Sequence, residues 1–303
     1  MTGYKGIWPV APTPFHSDGA VDYDGMDRVL DCMIDQGSDG ICILANFSEQ
    51  FLITDEERRL LTERSLAHVA GRVPVVVTTS HFSTQIAVDR AAHAKAHGAA
   101  IVMMMPPYHG ALMRGTAEQT FEQFARVSDV GLPIMVQDAP LSGVDLPVPL
   151  LVRMAHEIEM VKLFKIECPQ AATKLRVLIE QGGDAIEGPF DGEEAITLMA
   201  DLDAGATGAM TSAMIPDQIK LVLSHHAAGN RSAAQAAYAR VLPAINFENR
   251  QCGFRSAKVV MVEGGVIGSD FCRHPISPLH PETRDQLLEL VRPLLPIALN
   301  WGY

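Results

Sequence analysis

A lysine and an acid lie two residues apart in an otherwise apolar run of the sequence. The run, VKLFKIEC, contains Lys162, Lys165 and Glu167. Burial lowers the pKa of a lysine, because an ammonium ion is costly in a medium of low dielectric constant, and the neutral amine can attack a carbonyl group. In a strand, Lys162 and Lys165 face opposite sides, and Lys165 is nearer to the carboxyl end. Lys165 is therefore the candidate for imine formation; the alternative is a structural lysine that reaches an acid at a strand end.

Two loops elsewhere in the chain carry side chains that could bind or protonate a substrate of such a lysine. The loop NFSEQ includes Asn46 and Ser48, which could donate hydrogen bonds to a substrate carboxylate. The segment PPYHG contains Tyr108 and His109, which could relay protons. A simple polar turn explains the first pattern equally well. For the second, a lone aromatic residue at such a place is more often a packing residue.

Further polar residues stand at the ends of apolar runs. His81 in TTSHFST is either a base or a residue that caps its own loop. Asp138 and Glu187 each end a predicted strand, where an acid is as readily paired structurally as catalytic. Gln137 and Thr211 end their runs in the same way. These positions matter only if the fold brings the ends of the runs together.

Eight short apolar runs alternate with stretches of helical periodicity and so predict the elements that position these residues. The predicted strands cover 6–15, 40–46, 73–80, 99–107, 132–140, 161–168, 184–188 and 205–212. They are continuously apolar, which is typical of parallel strands covered by helices. Thr54, Ser83 and Thr116 precede three of the predicted helices as N-caps.

Eight β-α units predict a (β/α)8 TIM barrel, whose active site lies at the carboxyl ends of the strands. A doubly wound sheet is the alternative, but no predicted strand is followed by a GxGxxG phosphate loop. We expect the barrel to cover residues 1–225. Residues 226–303 are predicted to form a C-terminal helical extension packed on the barrel, with helices that include 233–241 and 282–294.

The composition argues against several functional classes. The 303 residues carry a formal net charge of −12, which disfavours nucleic-acid binding. The chain shows no signal peptide and no apolar stretch long enough to span a membrane, so we expect a cytoplasmic protein. Its five cysteines have neither a CxxC pair nor a zinc-ligand spacing, and they are predicted to be reduced thiols without a structural metal.

Five segments, in chain order, resemble the dihydrodipicolinate synthase and N-acetylneuraminate lyase superfamily of class I aldolase-like barrels. They are GIWPVAPTPF, NFSEQFLITDEER, PPYHG, LFKIEC and EGGVIGSDFCRHPISPL. The resemblance implies a (β/α)8 fold and an imine on Lys165. It also implies that the loop with Asn46, Phe47 and Ser48 replaces the family's carboxylate-binding loop, and that Tyr108 lies near the site.

The fifth strand departs from the family pattern, because Gln137 stands where the family has its proton-relay tyrosine. An amide cannot act as a general base. Aldol cleavage needs a base on the C4 hydroxyl, whereas dehydration needs removal of a C3 proton and loss of that hydroxyl. The chain further resembles a dehydratase branch of the family in the segments ILANFSEQF, TTSHFSTQ, MPPYHG, MVQDAP, FKIECP and EGPFDGEEAI. This resemblance implies dehydration of 2-keto-3-deoxy-L-arabonate to 2-oxoglutarate semialdehyde and water, with no metal or organic cofactor.

Several assignments stay open at this stage. An aldolase that splits a 2-keto-3-deoxy sugar acid into pyruvate and an aldehyde is the alternative function, and a non-catalytic barrel that binds a 2-keto acid is a third. The acid that assists departure of the hydroxyl is predicted among Tyr108, His81 and Glu187. Substrate binding is predicted for Asn46, Phe47, Ser48, His109, Gln137 and Thr211. Either Gly188 or Gly192 matches a family glycine, and the resemblance implies a homotetramer.

Overall fold

The structure is a computed structural model that describes residues 4–110, 112–139 and 142–303. Pro140, the last residue of the predicted fifth strand, lies outside the described residues. The strands are β1 Gly6–Ile7, β2 Ile41–Ile43, β3 Val75–Thr78, β4 Ile101–Met104, β5 Tyr108–His109, β6 Met113–Arg114, β7 Ile134–Asp138, β8 Val161–Ile166, β9 Gly188–Asp191 and β10 Gly208–Ala209.

Helices follow the parallel strands along the chain. They are α1 Tyr23–Asp35, α2 Asp55–Val69, α3 Thr84–Ala96, α4 Ala117–Ser128, α5 Val148–Glu157, α6 Ala171–Gly182, α7 Leu198–Asp203, α8 Pro216–Ala227, α9 Arg231–Phe247, α10 Arg255–Glu263 and α11 Pro281–Val291. In the part of the chain that the structure describes, no helix combines the length and apolarity needed to cross a membrane.

Two of the three predicted N-caps form their hydrogen bonds. Thr54 and Glu57 make a capping box at the start of α2, with the Thr54 hydroxyl 3.2 Å from the Glu57 amide nitrogen. Thr116 and Gln119 make the same arrangement at the start of α4. Ser83 occupies the N-cap position of α3, but its side chain makes no capping bond there. These caps end the loops that leave the strands and fix where each helix begins.

The first of two compact units comprises Val76–Glu193, Thr197–Met210 and the residues up to Lys5. Six strands of this unit lie parallel in the order β10-β9-β8-β7-β4-β3. In this register Gln137 of β7 lies beside Lys165 of β8, and Lys165 lies beside Phe190 of β9. Neighbours in a parallel sheet share a face, so the register alone places Gln137 and Lys165 on the same side.

The second unit comprises Gly6–Val75, Glu194–Ile196 and Thr211–Tyr303. In it Val10 pairs in parallel with both Cys42 and Ser212. The Val10 amide donates to the Thr211 carbonyl at 2.7 Å, and the Ala11 amide donates to the Cys42 carbonyl at 2.8 Å. The unit also contains helices α1, α2 and α8 to α11.

The predicted fold class is confirmed. The parallel strands β1 to β4 and β7 to β10 alternate with helices α1 to α8, which is the chain order of a (β/α)8 barrel. Helices α9 to α11 follow as the predicted helical extension. The predicted boundary between residues 225 and 226 stays a prediction.

The prediction of the seventh strand at 184–188 was wrong. The strand is β9, Gly188–Asp191, and Asp184 lies in the preceding 3-10 turn Gly183–Ala185. The short antiparallel hairpin of β5 and β6 was not predicted, because each of its strands has only two residues. The shift of β9 changes the place of Glu187, as described below.

Candidate active site

Lys165 is buried near the carboxyl end of β8, with 3% of its surface exposed. Its amine contacts the Oε1 atom of Glu167, which follows the strand. The two side chains point to the same side because they are two residues apart in extended backbone. Lys165 is thus a buried lysine with an acid in direct contact with its amine.

Gln137 completes this cluster from the neighbouring strand. Its Nε2 atom lies 3.0 Å from Oε1 and 3.2 Å from Oε2 of Glu167, and donates to the carboxylate. Its Oε1 atom is buried and accepts no hydrogen bond from the part of the chain that the structure describes. The Glu167 carboxylate is therefore held between an amine that can exchange a proton and an amide that cannot.

Gly192 allows the cluster to form. A Cβ atom at this position would lie 2.6 Å from Cγ of Glu167 and 2.8 Å from Cγ of Lys165, closer than carbon atoms approach. The Gly192 amide also donates to the Ile166 carbonyl at 3.0 Å. Of the two glycines left open by the sequence, Gly192 is the one beside Lys165; Gly188 lies at the start of β9, beside Leu163.

Glu187 does not join the cluster. Its amide donates to the Lys162 carbonyl, and the Nζ atom of Lys162 lies 3.6 Å from its carboxylate. The side chain of Glu187 is 44% exposed. Because a strand rises about 3.3 Å per residue, Glu187 is aligned roughly 10 Å along the strand from Lys165. It precedes β9 instead of ending it, so the sequence-based placement was wrong.

The other predicted residues of the first unit stand in loops after β3 and β4. Tyr108 is half-buried in the β5–β6 hairpin, where burial raises the pKa of its hydroxyl. His109 follows it and is exposed. The Nδ1 atom of His81 accepts a hydrogen bond from the Ser83 amide at 2.9 Å, which is the loop-capping arrangement that the sequence left open.

The predicted carboxylate loop of the second unit uses several of its donors internally. The Ser48 hydroxyl donates to the Ala11 carbonyl at 2.6 Å, and the Ser48 amide donates to the Ala45 carbonyl at 2.9 Å. The amide oxygen of Asn46 accepts from Gln50 at 2.7 Å. In this arrangement the hydroxyl proton of Ser48 is shared with the Ala11 carbonyl, and the role of Ser48 in binding a carboxylate stays a prediction.

Phe47 and Thr211 lie in the same unit. The Phe47 ring packs edge-on against Phe254, with 6.4 Å between the ring centroids. The Thr211 hydroxyl donates to the Ser212 carbonyl at 2.9 Å. Both residues therefore have structural contacts, and their roles in substrate binding stay predictions.

A buried ion pair at the NFSEQ loop could not be predicted from the sequence. Lys258 contacts the carboxylate of Glu49, and neither side chain is exposed to solvent. Lys258 also donates to the Phe271 carbonyl at 2.9 Å and lies 4.5 Å from the centroid of Phe15. Burial raises the pKa of Glu49, and Lys258 opposes that shift. The pair anchors Glu49, whose φ of 58° ends the turn that begins at Asn46.

Glu167 is the residue that sequence reasoning did not assign. It was noted only as the acid near Lys165, although its spacing of two from the lysine in a predicted strand was a usable signal. The missing information was its partner, because Gln137 is 30 residues away in the chain.

Comparisons with known proteins agree with the fold. The model of the dihydrodipicolinate synthetase family matches residues 3–293. An L-2-keto-3-deoxyarabonate dehydratase of Azospirillum brasilense is 58% identical, covering 99% of this chain and 97% of its own. A probable 2-dehydro-3-deoxy-D-pentonate aldolase of Escherichia coli is 33% identical over 52% of both chains.

A solved structure extends the comparison to the fold. A putative dihydrodipicolinate synthetase from Pseudomonas aeruginosa superposes with a TM-score of 0.87 at 26% identity, covering 96% of this chain and 99% of that one. The family resemblance predicted from the five segments is thereby confirmed. The chain belongs to the dihydrodipicolinate synthetase family.

Proposed function

We propose that the chain dehydrates 2-keto-3-deoxy-L-arabonate to 2-oxoglutarate semialdehyde and water through an imine on Lys165. The observation that carries the proposal is the contact between the buried Lys165 amine and Glu167, whose carboxylate is held by Gln137. A relative with 58% identity over 99% of this chain is a dehydratase of that substrate. The function agrees with the reaction expected from the sequence.

The reaction begins with attack of the neutral Lys165 amine on the C2 ketone. Glu167, in contact with this amine, takes up its proton, and loss of water from the adduct gives the imine. Removal of a C3 proton then forms an enamine, with the imine nitrogen as the electron sink. The enamine expels the C4 hydroxyl, which leaves as water with a proton from an acid. Tautomerisation moves a hydrogen from C5 to C3 and leaves an enol between C4 and C5. Protonation of C4 and loss of the C5 hydroxyl proton give the aldehyde, and hydrolysis of the imine releases the semialdehyde.

Glu167 is placed to serve as the proton carrier in these steps. Its carboxylate is adjacent to Nζ, and C3 is two bonds from that nitrogen in the imine, so we assign Glu167 the proton transfers at the amine and at C3. Gln137 does not exchange protons; it fixes the carboxylate, and its Oε1 atom can accept a hydrogen bond from a substrate hydroxyl or a water.

Cleavage to pyruvate and an aldehyde is the second candidate, and one relative is a probable aldolase of a 2-keto-3-deoxy pentonate. Dehydration is favoured over it because position 137 of this chain is an amide and not a base. The two reactions differ in their products, which a single assay separates.

Borohydride trapping with mass detection, run beside a product assay, tests the proposal. With 2-keto-3-deoxy-L-arabonate we expect a reduced adduct on the peptide that contains Lys165, formation of semialdehyde and no pyruvate. Lys165→Ala should abolish the adduct, whereas the matched control Lys162→Ala, on the same strand but facing the other side, should retain it. Pyruvate release would support the aldolase, and absence of any adduct would refute the imine mechanism.

Assembly and compartment complete the proposal. We propose a homotetramer, which the family resemblance implies, and location in the cytoplasm, which the sequence predicts. The division into a barrel over 1–225 and an extension over 226–303 is proposed on the same grounds. Light scattering on the purified chain tests the tetramer, and a monomer at micromolar concentration would contradict it.

A further inference from the structure

Asp138 carries an ion pair on the side of β7 that faces away from the cluster. Its side chain contacts Lys174 of α6, with 2.6 Å between Oδ2 and Nζ. Asp138 is buried, and the side chain of Lys174 is 16% exposed. Because side chains alternate along a strand, Asp138 points toward the helix layer while the adjacent Gln137 points toward Lys165.

The main chain of Asp138 is bound directly to the candidate catalytic segment. The Glu167 amide donates to the Asp138 carbonyl at 3.0 Å, and Asp138 lies beside Ile166 in the register of β7 and β8. The side chain of Asp138 is therefore held by helix α6, and its carbonyl is hydrogen-bonded to Glu167. Asp138 also directly follows Gln137 in the chain. Movement of Asp138 would therefore displace Gln137 and Glu167 relative to Lys165.

The ion pair is costly to break, because the acid is buried. Burial raises the pKa of Asp138, and Lys174 is the main group that opposes this shift. The negative charge of Asp145 raises the pKa further, whereas a hydrogen bond with Cys168 lowers it. Removal of one partner from a buried pair leaves an uncompensated charge, which then neutralises or moves toward water. Loss of Lys174 is thus expected to release the carboxyl end of β7.

We propose that the Asp138–Lys174 ion pair is a positioning device that sets the distance from Gln137 and Glu167 to the Lys165 amine. Neither residue touches the substrate; both act through the backbone of β7 and its bond to Glu167. The inference rests on the proposed function, since it assigns the pair a part in the proton transfers of the dehydration. A pair that only stabilises the packing of β7 on α6 is the competing explanation.

The chain offers a matched control for this distinction. Lys162 and Glu187 form a second ion pair, 3.6 Å apart, which also involves β8 but lies at its amino end. Lys162→Gln removes the same charge as Lys174→Gln, from the same unit. A general effect of lost charge would appear in both variants. Lost packing, which is larger for the more buried Asp138–Lys174 pair, would lower the melting temperature, whereas a positioning effect would lower kcat in Lys174→Gln alone.

The experiment measures kcat, KM, borohydride trapping and melting temperature for Lys174→Gln, Asp138→Asn, Lys174→Arg and Lys162→Gln. We expect kcat to fall about 10- to 100-fold in Lys174→Gln and Asp138→Asn, with KM changed less than 3-fold and the adduct on Lys165 still formed. Lys174→Arg should recover most of the activity, because it restores the cation. Lys162→Gln should stay within 3-fold of the parent in kcat.

Two results would overturn the inference. One is an unchanged kcat in Lys174→Gln and Asp138→Asn while the parent enzyme forms the adduct and the semialdehyde. The other is an equal loss of kcat in Lys162→Gln and Lys174→Gln. Failure of the proposed function is distinguishable from both, because it would appear in the parent enzyme itself as a missing adduct or a different product.

Discussion

At the scale of single residues, the cluster separates three tasks among three side chains. In the proposed reaction Lys165 supplies the nucleophile and Glu167 carries protons, while Gln137 holds the carboxylate without exchanging protons. A tyrosine at position 137 would add a group that can itself be deprotonated, whereas the amide leaves Glu167 as the acid in contact with the amine. The chemistry is thereby assigned to one carboxylate.

Glu167→Gln tests this assignment. The variant keeps the shape of the side chain but cannot carry a proton, so we expect kcat to fall by roughly 10²- to 10⁴-fold. Borohydride should still trap an adduct on Lys165, at a lower rate. Steady-state kinetics and mass detection measure the two effects. Glu180→Gln, which removes an exposed acid on α6, is the control. A Glu167→Gln variant with parental kcat would exclude Glu167 as the proton carrier.

At the scale of elements, the sequence predicted most strands but not all of their bounds. The apolar runs around Val76, Val102 and Val136 are buried strands as expected. The run GPFD at Gly188–Asp191 contains glycine and proline, which are rare in strands, and it is extended because it pairs with β8. Glu187 was misplaced for this reason. Contacts such as Glu49–Lys258, which are 209 residues apart, leave no local signal.

The π-helical turn Glu248–Cys252 between α9 and α10 carries a buried acid, Glu248, that makes the stability of the fold depend on pH. Burial raises the pKa of Glu248 from 4.5 to about 7, and hydrogen bonds with Ser212 and Ser256 oppose the shift. The folded chain therefore holds this proton more tightly than the unfolded chain. The stability from this group is present below pH 4.5 and is lost as the pH rises through about 7.

Glu248→Gln should remove this pH dependence. The total effect is about 3 kcal/mol, of which about 1 kcal/mol falls between pH 6 and pH 8. We therefore expect the variant to gain about 1 kcal/mol over the parent when the pH rises from 6 to 8, as measured by urea unfolding at both values. The exposed Glu289→Gln on α11 serves as control. Parallel pH profiles of parent and Glu248→Gln would contradict the prediction.

At the scale of the whole molecule, the second unit is assembled from sequence-distant segments, Gly6–Val75 and Thr211–Tyr303. Residue Trp301 joins them: its indole NH donates to Asp35 of α1 at 2.7 Å, although the two residues are 266 positions apart. The guanidinium of Arg28, also on α1, lies 5.2 Å from the centroid of the indole ring. Arg28 further donates to the Val266 carbonyl at 2.8 Å.

These contacts predict that Trp301 stabilises the second unit by linking its two sequence-distant segments. A hydrogen bond to a carboxylate and a cation–π contact together contribute about 2 kcal/mol, so Trp301→Ala should lower the melting temperature by several degrees. Tyr303→Ala, two residues further along, is the control, because Tyr303 is 91% exposed. Asp35→Asn should cause a smaller loss than Trp301→Ala, since it weakens one of the two contacts. Thermal unfolding curves decide the point: equal melting temperatures for Trp301→Ala and Tyr303→Ala would mean that Asp35 and Arg28 do not hold the two segments together through this ring.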